Sequence, residues 1–296
     1  MIECVPNLSE GCRAGVVDAL ARAIGGVAGV KLLDVSSDAS HNRSVFTMVG
    51  ESVPLFEAVM ALFGRALASI DLTVHRGEHP RIGAVDVVPF VPLGQTAMAD
   101  CVALARLVGA AVGDRFRVPV YLYEEAASTP LRRHLEDIRR GQFEALAEKM
   151  ASPDWVPDFG PRRPHPTAGA TAIGARGALI AYNVNLATDR IEVARRVASA
   201  IRQRGGGLPG VKAMGVRLAA RGLVQVSTNL TNYRVTGLSA VFRAVAREAA
   251  QHGVTVVESE IVGLVPADAL VGEPVPTLRL KDFGAHQILE NRIERT

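Results

Sequence analysis

Residues 85–91 hold Val85, Val87, Val88, Phe90 and Val91 in a run of seven, and a strand this apolar reads as buried in a sheet. Directly upstream lies the opposite kind of sequence, Val74-His75-Arg76-Gly77-Glu78-His79-Pro80-Arg81, dense in charge and in imidazole. The polar loop is therefore anchored at one end by a core strand, so its side chains can be held in place. His79, between Glu78 and Pro80 and close to Arg81, has the one side-chain type whose ordinary pKa suits proton transfer near neutrality.

Around this junction the periodicities give an ordered series. A strand over 2–6, a helix over 14–24 stopped by Gly25-Gly26, strands over 30–35 and 43–49, and a helix over 53–70 precede the strand at 85–91. Phe56, Val59, Met60, Phe63, Leu67 and Ile70 recur at three- and four-residue steps, which turns the 53–70 helix toward a core. The order is βαββαβ, a split βαβ unit, extended by a helix over 97–112, a strand over 118–123 and a polar helix over 130–149. Residues 154–166, broken by Pro157, Gly160, Pro161, Pro164 and Pro166, predict an ordered linker between two halves.

The second half repeats the order. Strands are expected over 179–184, 211–218, 223–227 and 254–262, with helices over 191–203 and 239–252 and a C-terminal helix over 287–295. Both halves open on a strand ending Asn-Leu, at Asn7-Leu8 and Asn185-Leu186, a weak sign of duplication. The fold expected is α/β with α+β-type lobes: two split-βαβ subdomains, 1–173 and 174–296, whose mixed sheets flank a ligand cleft.

Composition narrows the function. A net charge of +3 gives no case for nucleic-acid or membrane partners. The greasiest segment, 53–70, is interrupted by Glu57 and Arg65, too polar for a membrane span. Cys4, Cys12 and Cys101 are odd in number and widely spaced, and the first residues lack the basic and apolar regions of a signal peptide. A reduced, cytoplasmic protein is expected.

Two pattern matches fail on context. Gly205-Gly206-Gly207-Leu208-Pro209-Gly210 satisfies GxGxxG but follows a helix and contains a proline. His75-Arg76-Gly77-Glu78-His79 satisfies H-x-x-E-H, yet Gly77 and Pro80 oppose the helix that would put both histidines on one face, so no metal is expected. His252 before Gly253 reads as a helix cap. His79 is either a loop histidine bonded to backbone or a general base whose second ring nitrogen is held by Asp38 or another acceptor. Asp38, Ser40 and Asn42 suit an Asx-type turn, whereas Arg43, a long cation entering an apolar strand, calls for an anionic partner. The small residues of 167–176 read either as a closely packed turn or as a loop that admits a flat ligand beside Arg162 and Arg163. Asn183, Asn185, Ser227, Thr228 and Asn229 place amides and hydroxyls at strand ends, where α/β ligand sites lie, or simply form turns.

Several ordered motifs share one resemblance. Glu3-Cys4-Val5-Pro6-Asn7-Leu8-Ser9-Glu10-Gly11, His41-Asn42-Arg43-Ser44-Val45, Gly77-Glu78-His79-Pro80-Arg81-Ile82-Gly83-Ala84 and Val120-Tyr121-Leu122-Tyr123 resemble the formiminotransferase family. So do Asp154-Trp155 through Gly160-Pro161, Gly169-Ala170-Thr171 through Gly174-Ala175-Arg176, Ala181-Tyr182-Asn183-Val184-Asn185-Leu186, Gln225-Val226-Ser227-Thr228-Asn229-Leu230 and Val262-Gly263-Leu264-Val265-Pro266. The resemblance implies transfer of a formimidoyl group between N-formimidoyl-L-glutamate and tetrahydrofolate, in histidine breakdown and one-carbon metabolism. It implies two lobes with a folate cleft and a homodimer. It places the catalytic histidine on His79 and the folate segment on Gly160, Pro161, Arg162, Arg163, Pro164, His165, Pro166, Thr167, Ala168 and Gly169. Asp38 stands as the nearest acid to support His79, because Ser36 occupies the position where animal members carry one. Arg43, Arg81, Asn183 and Thr228 are the candidates for holding substrate. Animal members also carry a cyclodeaminase domain, so a separate cyclodeaminase is expected as partner. The runners-up are transfer from 5-formyltetrahydrofolate in folate salvage, and a folate-binding protein without turnover.

Overall fold

A computed structural model describes residues 1–295; Thr296, the last residue of the expected second lobe, lies outside the described residues. The chain forms two compact units, Met1–Arg176 and a second from Gly177 onward.

In the first unit, β1 (Ile2–Cys4) and β2 (Asn7–Leu8) are two pieces of one strand line. The line breaks around Pro6, where Val5 N–H reaches Pro89 O at 3.2 Å and no strand bond is available from either proline nitrogen. Then come α1 (Ala14–Gly25), β3 (Val30–Asp38), β4 (Arg43–Gly50), α2 (Ser52–Leu67) and β5 (Val85–Pro92). α3 (Met98–Arg115), β6 (Val120–Glu124) and two short helices, α4 (Leu135–Ile138) and α5 (Leu146–Ala151), lead to β7 (Thr171–Ala175). The sheet runs β3, β4, the β1–β2 line, β5, β7, β6; pairing is antiparallel as far as β5, and β7 lies parallel to both β5 and β6. β5 is buried along almost its whole length, as its apolar run requires. Val85, Val88 and Phe90 join the core with α1, α2 and α3, while Val87 packs with Tyr121, Ile138, Leu146 and Met150 in a second, smaller core.

The second unit is β8 (Ile180–Leu186), α6 (Ile191–Ile201), β9 (Val211–Leu218), β10 (Leu223–Leu230), α7 (Leu238–Ala250), β11 (Val256–Val262) and α8 (Leu289–Arg295). Its sheet order is β11-β8-β10-β9, all antiparallel. Counted by position in a βαββαβ unit, this is the fourth, first, third and second strand. The first unit has the same order, with β5 fourth, the β1–β2 line first, β4 third and β3 second. Mixed α/β architecture with one open sheet per unit follows the sequence reading.

Three local expectations are corrected. The polar helix over 130–149 is broken: Gly141 and Gln142 both take left-handed backbone, with φ of 85° and 57°. Lys149 Nζ caps the broken end, donating to the carbonyls of Asp137, Ile138 and Arg140. The small residues at 171–175 form neither turn nor loop but the fully buried β7. Their size is set by β6, because a Cβ on Gly174 would stand 2.3 Å from Tyr123 O. Residues 154–166 do not link the two units, since they belong to the first: Phe159 N–H and Asp158 N–H both reach Val120 O, and Phe159 lies against Gly109 and Gly113 of α3. No helix among the described residues is long and apolar enough to cross a membrane.

Candidate active site

The polar loop before β5 folds back on the turn between β3 and β4. Gly77 makes this close approach possible, since a Cβ there would stand 2.3 Å from His41 O. Asn42, in left-handed backbone, seals the contact: its side chain accepts from Gly11 N–H at 2.9 Å and donates to Arg76 O at 2.8 Å. His79, half-buried, is carried to the first residue of β4.

His79 Nδ1 has two neighbours, each at 2.8 Å: Arg43 Nη1 and Pro80 O. Among the described residues no protein group bonds its Nε2, which leaves that nitrogen for a substrate. Burial lowers the imidazole well below its ordinary 6.5, and the guanidiniums of Arg43 and Arg139 push the same way. The ring is therefore neutral at physiological pH, the form that can take up a proton.

Arg43 is the hub. Its Nε and Nη2 both donate to Asn7 Oδ1, at 3.0 and 2.6 Å, and its Nη1 also lies 3.3 Å from Asp86 Oδ2. Burial lowers the guanidinium to about 9, still charged at neutral pH. Asp86, 1% exposed inside β5, is the anionic partner that a cation entering an apolar strand called for. Ile82 N–H donates to its Oδ1 at 2.8 Å and Arg139 Nη2 to its Oδ2 at 2.5 Å. Leaving such a pair half made costs about 3–5 kcal/mol, so the arrangement is strongly self-enforcing.

Asp38 is not beside this ring nitrogen. Its carboxylate takes the backbone N–H and Nδ1 of His41, at 2.7 and 3.0 Å, and the hydrogen bond from the His41 side chain is the main reason that its pKa is lowered. His41, 8% exposed, stands between them with its ring centroid 6.0 Å from that of His79. The support expected of Asp38 thus reaches His41, and Nδ1 of His79 is held by Arg43 and Pro80 instead. The reason is reach: the Asx-type turn closes Asp38 onto its own backbone.

Arg81 is buried and occupied. Its Nη1 and Nη2 make a fork on Glu144 at 2.9 and 2.7 Å, and its Nε donates to His75 Nδ1 at 3.2 Å. His75 Nε2 bonds Asn42 O at 2.9 Å, so both nitrogens of this histidine have protein partners. Among the described residues no group of three or more His, Cys, Asp or Glu side chains is arranged to hold a metal ion.

The segment 160–169 joins the site through the backbone. His165 and Gly169 exchange N–H···O bonds at 2.8 and 2.9 Å, and His165 Nδ1 accepts from Ala168 N–H at 3.0 Å. Beyond this tight loop Ala168 O accepts from Ala84 N–H, and Ala170 N–H donates to Ile82 O. The segment therefore lies alongside the chain that leads out of His79. A cavity of about 550 Å³ opens here, lined by Pro164, His165, Pro166, Phe143, Arg76 and Glu144 among others. Arg162 donates to Met150 O and Ala151 O at the end of α5, whereas Arg163 is exposed. Gly160, Pro161 and Thr167 frame the turn, with Gly160 in left-handed backbone and Thr167 O accepting from Leu72 N–H.

Asn183 and Thr228 belong to the second unit and are buried there. The Asn183 amide donates to Glu260 Oε1 at 3.1 Å and the Thr228 hydroxyl bonds Tyr182 O. They are part of a polar row with Asn185, Gln225 and Glu258.

Asp86 and Arg139 are the residues that sequence reasoning missed. A signal existed for the first, as the single charge in the run 85–91. None existed for the second, since its aim depends on the helix break at Gly141.

Comparison with known proteins supplies a second line of evidence. A family model described as the formiminotransferase domain, N-terminal subdomain, matches residues 1–176, and one described as the formiminotransferase domain matches residues 181–274. A glutamate formimidoyltransferase of Thermoplasma acidophilum is 48% identical over 297 residues, covering 100% of this chain and 98% of that protein. One from Streptococcus pyogenes serotype M1 is 46% identical over 294 residues, covering 99% and 98%. The formimidoyltransferase-cyclodeaminase of Mus musculus is 45% identical over 277 residues, 92% of this chain but 51% of the mouse protein.

Proposed function

The chain belongs to the formiminotransferase family, and we propose that it is a glutamate formimidoyltransferase, moving a formimidoyl group between N-formimidoyl-L-glutamate and tetrahydrofolate with His79 as general acid and base. The observation that carries this reading is the state of His79: neutral, fixed through Nδ1, and open at Nε2.

The chemistry asks for no more than such a ring. An amine nitrogen adds to the amidine carbon, and the tetrahedral intermediate collapses when one nitrogen has lost a proton and the other has gained one. A single imidazole can accept the first proton and return it to the leaving amine, a contribution of about 10²–10⁴ in rate. Burial, with Arg43 and Arg139 acting in the same direction, lowers the pKa of the protonated ring, so the proton is passed on readily. Holding both substrates in place supplies much of the remaining acceleration.

Tetrahydrofolate enters as co-substrate. The cavity beside 164–166 offers flat apolar surfaces from Phe143, Pro164 and Pro166 with Arg76 at its wall, which fits a ring system carrying a carboxylated tail. Arg163, exposed on the same segment, is the cation free to meet that tail. The same reading carries a cytoplasmic homodimer, whose mass sedimentation velocity would give.

Purified protein supplied with N-formimidoyl-L-glutamate and tetrahydrofolate should form 5-formimidoyltetrahydrofolate, and His79→Ala should lower kcat by roughly 10²-fold or more while folate still binds. Equal turnover by the variant would remove His79 from the mechanism. Preference for 5-formyltetrahydrofolate as donor to L-glutamate would move the protein to folate salvage.

A further inference from the structure

Nδ1 of His79 can carry one hydrogen or none, yet its two neighbours make opposite demands. Arg43 Nη1 can only donate, and Pro80 O can only accept. If Arg43 donates to Nδ1, the proton of the neutral ring sits on Nε2 and that nitrogen cannot act as a base. If Nδ1–H donates to Pro80 O, the lone pair is on Nε2, where no protein group competes for it.

The choice lies with Arg43, and Arg43 has little freedom. Asn7 Oδ1 holds its Nε and Nη2, so only Nη1 is contested, between His79 Nδ1 at 2.8 Å and Asp86 Oδ2 at 3.3 Å. Asp86 itself is immobilised by Ile82 N–H on one oxygen and by Arg139 on the other. Lys149 in turn fixes the backbone on both sides of Arg139, through the carbonyls of Ile138 and Arg140. The remaining charged or titratable groups near the ring are His41 and, behind it, Asp38, and neither touches Nδ1.

We propose that Asp86, whose Oδ2 is shared between Arg43 and Arg139, is a positioning residue for the transfer reaction: it competes with His79 Nδ1 for Arg43 Nη1, so that Nδ1–H can be given to Pro80 O and Nε2 is left as the base. Asp86 touches no reacting atom in this scheme and acts through Arg43. The proposal rests on the assignment of His79 as the acid and base.

The test uses the whole protein with ¹⁵N-labelled histidine and reads the ring nitrogens of His79 by NMR above the titration of the ring. The wild type should show Nδ1 protonated to a substantial degree. In Asp86→Asn, Arg43 loses its competing partner and settles on Nδ1, so the spectrum should move toward the Nε2–H tautomer. On the scale of a lost catalytic interaction, kcat should then fall about tenfold or more with KM nearly unchanged. In Arg139→Gln the Asp86 carboxylate has one cation fewer to satisfy and pulls Arg43 harder, so the spectrum should move the other way, toward Nδ1–H. Opposite shifts in the two variants support the proposal. Shifts of one sign in both, or none in either, overturn it. If Asp86→Asn does not fold, Arg139→Gln decides alone: a shift toward Nδ1–H supports the proposal, and no shift or the reverse sinks it. The tautomer is read without turnover, so an inactive wild type would count against the proposed reaction and not against the Asp86 assembly.

Discussion

The imidazole of His79 lies in surroundings that disfavour its charge. Burial and two nearby guanidiniums hold its pKa well below 6.5, so the base form persists as the pH falls and is lost only when the pH passes through that lowered value. The acid limb of kcat/KM should accordingly lie below 6.5, and a pH–rate profile with its acid midpoint at or above 6.5 would contradict the assignment. His75 and His165 are lowered mainly by burial as well. Each binds its proton less readily folded than unfolded, so together with His79 they draw down stability as the pH falls below 6.5, and denaturation midpoints should drop across that window. Much of this was visible in the residues themselves: a histidine between Glu78 and Pro80, and an Arg43 in want of an anion. What was not visible is that Asp38 spends its carboxylate on His41, three residues on, and that the anion for Arg43 comes from inside β5. Side-chain partners across strands depend on register, and one residue of slip would have put Asp86 on the other face.

Among the elements, the periodic ones were legible and the non-periodic ones were not. Helix α2 and strand β5 carry their own patterns, and their cores close where those patterns point. Strand β7 has no alternation and little bulk, because it is covered on both faces and abutted closely by Tyr123, so its small residues looked like a turn. The break at Gly141 hid in a stretch of helix-forming residues, yet it aims Arg139 at Asp86 and brings Glu144 to Arg81. Two predictions belong here. A Cβ on Gly113 of α3 would stand 2.6 Å from Gly160 N and 2.9 Å from Phe159 Cβ, so Gly113→Val should destabilise by about 1–3 kcal/mol, read from chemical denaturation. Lys149→Met keeps the bulk over Trp155, whose ring lies 3.7 Å from Nζ, but frees three carbonyls. It should lower the denaturation midpoint, because three carbonyls lose their donor; an unchanged midpoint would show that the cap contributes nothing to folding.

At the scale of the whole molecule, the chain uses one strand order twice and closes a separate apolar core in each unit. The repeat of βαββαβ was legible because it rests on the order of elements and not on any contact. Trp155, the sole tryptophan, belongs to the first unit, so its fluorescence follows that unit alone. Leu186→Ala, in the core of the second unit, should cost about 2–5 kcal/mol and bring part of the far-ultraviolet dichroism transition to lower denaturant, ahead of the fluorescence change. Superimposed transitions in the variant would instead show that the units unfold together.

Strand β7 is the last element of its unit to be made, and it lies between two that are made earlier. A ribosome that has released β5 and β6 has produced neighbours that cannot yet meet, with the row of peptide groups along each still waiting for a partner. The gap is filled only after residue 175 clears the exit tunnel. Until then Ile82 and Ala84, which take their bonds from the segment just before β7, are without them, and the chain beside His79 is unsupported. Synthesis therefore delivers the His79 loop about half a unit ahead of the strand that steadies it, an interval in which the partly made unit carries unpaired strand edges.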